Sequence, residues 1–110
     1  PLEGIWARWP YMHNNSIPNL CVLFTKPKHR VKKFYMGEAI DKKRDFDSIC
    51  VGYPIGHKTP NIWKKPDYLY DSKKEGLSNK GHYKMLLTKE GKEKYSWKQK
   101  LQLIEFLKTL

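Results

Sequence analysis

Apolar positions along the chain fall into short runs separated by lysine-rich stretches. Leu20-Cys21-Val22-Leu23-Phe24 is a continuous apolar run ended by Lys26-Pro27, which predicts a buried strand. Val31, Phe34, Tyr35 and Met36 predict a second strand that stops at Gly37. Residues 46–55, Phe-Asp-Ser-Ile-Cys-Val-Gly-Tyr-Pro-Ile, hold no lysine or arginine, so they are the expected neutral centre of the fold. Within them Ile49-Cys50-Val51 reads as a buried strand, ended by Gly52 and Pro54. Tyr68-Leu69-Tyr70 predicts a short strand or turn, and residues 83–88 a further strand. Lys89-Glu90-Gly91-Lys92 then predicts a hairpin turn leading back toward Tyr95.

The last segment has a different period. Ser96 is a helix cap, and Gln99 three residues on completes a capping box. Trp97, Leu101, Ile104 and Leu107 follow at helical spacing, with Leu103, Phe106 and Leu110 widening the stripe. Lys98, Lys100 and Lys108 fall away from its centre. A helix over 96–110 is expected. The remaining segments predict irregular structure. Residues 1–19 lay Trp6, Trp9 and Tyr11 over the core around a turn at His13-Asn14-Asn15-Ser16. Residues 54–67 contain Pro54, Gly56, Pro60 and Pro66 and are anchored by Ile62 and Trp63, while 71–81 reads as an exposed polar loop. The pattern as a whole predicts an α+β fold: a small antiparallel sheet of four or five strands with the C-terminal amphipathic helix packed on it.

Length and composition set the bounds. At 110 residues and 39% hydrophobic content, the chain is read as a single domain, 1–110. It begins at Pro1 rather than Met, which reads as a domain excised from or processed out of a longer chain, with the compartment left open. No apolar run approaches the roughly 18 residues of a membrane span.

Charge changes the picture most. Lys and Arg number 22 against 11 Asp and Glu, a formal net charge of +11 that attracts polyanions. The densest cluster is Lys26, Lys28, Arg30, Lys32 and Lys33, where His29 adds a charge at lower pH. Phe34 and Tyr35 follow it directly, and a second cluster stands at Lys42, Lys43 and Arg44. Lys64 and Lys65 beside Trp63, with Tyr53 and His57 nearby, form another basic-aromatic neighbourhood. Cations along a phosphate backbone with aromatics for stacking predict a nucleic-acid-binding domain without catalysis. Phe34, Tyr35, Tyr53 and Trp63 are its stacking candidates. On the other side stand edge lysines that merely solvate strands around core aromatics.

The two cysteines carry the alternative. Cys21 and Cys50 form either one disulfide or a pair of buried thiols. A disulfide, together with the glycosylation acceptor at Asn14, indicates an extracellular or viral surface recognition domain. That domain would meet a cell-surface receptor or acidic glycan. Leu20-Cys21-Val22-Leu23-Phe24 and Ser48-Ile49-Cys50-Val51-Gly52 faintly resemble cysteine-centred strands of retroviral envelope surface subunits. The first reading implies a nuclear location and the second an extracellular one.

Catalytic signals are weak. Pro66-Asp67 and Glu90-Gly91-Lys92 fit a loose Pro-Asp…Glu-x-Lys nuclease pattern, in which paired carboxylates hold magnesium. The Glu-x-Lys, however, sits in a predicted turn. His13, His29, His57 and His82 are scattered, and neither a nucleophile elbow nor a phosphate loop is present. Neither a catalytic residue, a metal nor a cofactor is expected.

Overall fold

The structure, a computed structural model, describes residues 4, 7–12, 14–81 and 83–110. Trp6 and the histidines at 13 and 82 lie outside the described residues. One two-stranded sheet is present, formed by β1 (Lys33–Tyr35) and β2 (Leu69–Asp71). They pair antiparallel with Lys33 opposite Asp71, Phe34 opposite Tyr70 and Tyr35 opposite Leu69. Among the described residues, the α-helices α1 (Leu20–Leu23) and α2 (Trp97–Leu107) frame the rest, with single 3-10 turns between them.

A sheet of four or five strands is therefore corrected to one of two strands, within a small α+β fold. Three predicted strands became turns, each for a local reason. In the first, Asn19 Oδ1 accepts from the Val22 amide at 3.0 Å, an N-cap that winds Leu20–Leu23 into a helical turn. A run this short and apolar is compatible with either state until a cap decides it. In the second, the buried Asp47 carboxylate accepts from the Ile49 and Cys50 amides, both at 3.0 Å. The chain curls around it, Val51 takes φ +59°, and Ile49 stays 58% exposed. In the third, Lys84–Leu86 forms a 3-10 turn, and only Leu87 bridges to Glu93. The turn at 88–92 does form, closed by the Thr88 amide donating to the Lys92 carbonyl at 2.7 Å.

Residues 46–55 keep their central position by a different route. Gly52 bridges both Asn19 and Asp47, and a β-carbon there would lie 2.2 Å from the Pro18 carbonyl oxygen. Only glycine fits. Val51 enters the aliphatic core with Ile17, Leu20, Val22, Phe24, Leu86, Ile104 and Leu107. A second, aromatic cluster stacks Phe34 on Tyr70 at 5.1 Å and continues through Tyr53 to Trp63 and Trp9.

The capping box at Ser96 and Gln99 is present and starts α2. Its buried face is Lys100, Ile104 and Leu107, whereas Trp97, Leu101 and Phe106 are exposed, so the predicted stripe is rotated. A lysine can sit on the inner face because its ammonium finds partners there. Lys100 Nζ donates to the Phe24 carbonyl at 2.9 Å and to the Tyr83 hydroxyl at 3.1 Å, with Glu93 at 3.6 Å. Among the described residues no helix is long and apolar enough to cross a membrane.

Candidate functional site

The basic segment 26–33 is split by its environment. Its 3-10 turn at Pro27–His29 ends at Arg30, which points inward and is 3% exposed. The Arg30 guanidinium donates to five carbonyls, those of Val22, Leu23, Thr25, Asn79 and Gly81. A planar fork with five donors suits this task, and desolvation lowers its pKa. Arg30 therefore ties α1 to the loop at 79–81. Lys26, Lys28, Lys32 and Lys33 remain exposed, with Lys26 4.0 Å from Glu93.

The other candidates are distributed as follows. Phe34 and Trp63 are buried, Tyr35 and Tyr53 half-buried, and Lys64 and Lys65 exposed. Trp63 lies flat on Gly37, where a β-carbon would come within 2.3 Å of the indole ring. Lys42, Lys43 and Arg44 stand exposed on a turn around Asp45. The Asp45 carboxylate is fully buried and accepts from Arg44 and from the Ile40 and Asp41 amides. These bonds, led by Arg44, hold its pKa far below the usual carboxylate range. Asn14 is only half-buried, and its amide group donates to the Ser78 carbonyl at 2.8 Å.

The tertiary structure makes one grouping that no local run indicates. The Ser72 amide donates to the Lys32 carbonyl at 2.8 Å, which extends the β1–β2 pairing and lays the 71–81 loop beside Lys32. Lys32 then joins Lys73, Lys74 and Lys80 around a cavity of about 490 Å³. The last three were missed because they belong to a polar loop some forty residues away. A loop with three lysines and two serines was the available signal. Asp67 and Glu90 of the nuclease pattern are both exposed. Among the described residues no three His, Cys, Asp or Glu side chains are placed to hold a metal ion.

Cys21 and Cys50 form a disulfide, with α-carbons 5.0 Å apart. It joins α1 to the Asp47 turn, next to the bond from the Leu20 amide to the Cys50 carbonyl at 2.7 Å. The open choice between thiols and a bridge is settled as a bridge. Sequence comparison adds a separate finding. A protein family described as RoxA-like, cytochrome c-like matches residues 1–35. Two relatives come from Sinorhizobium fredii. The uncharacterized protein y4iM is 31% identical over 98% of this chain and 26% of its own length. The uncharacterized protein y4iJ is 35% identical over 74% of this chain and 12% of its own. The chain thus spans about a quarter or less of these relatives. No solved structure matches the chain. Covalent haem attachment of the c type needs free cysteine thiols, and here both cysteines are bonded to each other. The residues present do not fit that attachment.

Proposed function

We propose that this chain is a disulfide-stapled module of a larger, exported protein related to c-type cytochromes. It contributes a cationic scaffold there, and its two cysteines serve the staple rather than haem attachment. The observation that carries the reading is the match of residues 1–35 to the cytochrome c-like family. The Cys21–Cys50 bridge supports the compartment, because disulfides persist where the environment is oxidising. Mass spectrometry of tryptic peptides from the full-length protein, isolated from its native host, tests it. Cys21 and Cys50 peptides should appear linked to each other, with no haem adduct on either. Free thiols at these positions, or haem on Cys21 or Cys50, overturns the reading.

The exposure of Lys26, Lys28, Lys32, Lys33, Lys42 and Lys43 favours a second reading, non-catalytic polyanion or nucleic-acid binding. Oligonucleotide binding that weakens steeply with salt, and again on reversing Lys32 and Lys33 to Glu, would support it. Undetectable binding at low salt removes it.

A further inference from the structure

We propose that the cavity between Lys32 and the 71–81 loop is a binding site for a small molecule bearing phosphate groups. It goes beyond the cytochrome-related reading and does not depend on it. Four ammonium groups from two distant segments, Lys32, Lys73, Lys74 and Lys80, line one hollow against a single carboxylate, that of Glu75. Among the described residues, none of the four lysines pairs with a carboxylate. Four cations around one carboxylate leave a net positive charge, and a multivalent anion relieves their mutual repulsion. Ser72 and Ser78 belong to the same lining, and serine hydroxyls suit phosphate oxygens alongside lysine point charges.

The loop is also built in advance. Arg30 holds the Asn79 and Gly81 carbonyls from below, and buried Asn79 donates from its side chain to the Val31 carbonyl at 2.8 Å. Asn14 binds the Ser78 carbonyl from the side, and Tyr70 in turn donates to the Asn14 carbonyl at 2.8 Å. A loop fixed by partners from three other segments loses little freedom when a ligand arrives. Its volume, about 490 Å³, falls in the range of small-molecule sites.

The test is titration of the isotope-labelled protein with inorganic pyrophosphate at low salt, followed by NMR. Saturable shifts should centre on Lys32 and residues 72–80. Binding should weaken about tenfold when Lys73, Lys74 and Lys80 are together changed to Gln, since each such pair contributes a few-fold. Changing Lys42 and Lys43 to Gln should leave it unaltered. Arms with anionic phospholipid vesicles and with neutral ones separate a lipid headgroup from a soluble phosphate as the source. Shifts spread over all lysine-bearing surfaces, equal weakening in both variants, or no saturation would overturn the proposal. Should the triple variant fail to fold, the shift map of the unmodified protein decides alone.

Discussion

A single arginine shows how much of this molecule rests on individual polar residues. Arg30 donates to five carbonyls from two segments at once, and no other side chain has enough donors. Arg30→Lys should keep the charge but lose most of those bonds, costing about 2–4 kcal/mol in a urea melt. Asp45 acts similarly at the 41–45 turn, and its folded pKa is depressed by Arg44 and two amides. Stability from a depressed carboxylate is fully present above its unfolded value of 3.8 and is lost as pH falls below that. Asp45→Asn should therefore lower stability at pH 7 and flatten the acid-unfolding curve below about pH 4. Tyr83 has the opposite sign. Burial first, then its bond to Glu93, raises its pKa well above 10.0. Its contribution holds below pH 10 and fades at higher pH. Tyr83→Phe should remove that alkaline loss, read by circular dichroism against pH.

At the scale of elements, turns and staples do the work usually given to a sheet. With a three-residue strand pair and a four-residue helix, α1 and the Asp47 turn depend on the disulfide that joins them. The bridge separates its cysteines by 29 positions, and closing such a loop constrains the unfolded chain by roughly 3–4 kcal/mol. Reduction, or changing both cysteines to Ser, should lower the melting temperature by on the order of 10 °C. An unchanged melt would show that the backbone bonds around Asn19 and Gly52 suffice alone. α2 is the more autonomous element. Ser96→Ala should remove its capping box and cost about 1 kcal/mol, with little effect elsewhere.

Across the whole molecule, distribution of charge matters more than its total. The dense run at 26–33 is divided between a buried staple and exposed cations, while three lysines of a remote loop gather beside Lys32. α2, its cap and the turn at 88–92 were legible because their signals are local: a Ser-x-x-Gln box and a glycine between short runs. Phe34 facing Tyr70 was not, since register depends on partners 36 positions apart.

Residues 46–55 mark the boundary between the two kinds of information. Sequence alone determined that this stretch free of lysine and arginine lies at the centre, because burying charge without partners is costly. It also determined a basic surface, two cysteines that could pair, and the cap of the final helix. Tertiary structure decided that the stretch is a turn around Asp47 rather than a strand, and that Cys50 bonds Cys21. It decided too that Arg30 and Lys100 turn inward while Lys32 faces Lys73, Lys74 and Lys80. Outside the Asp47 turn, whose amide partners lie two and three residues away, the physical reason is shared. A buried polar group is defined by the partners that satisfy it, and those partners come from segments far apart in the chain.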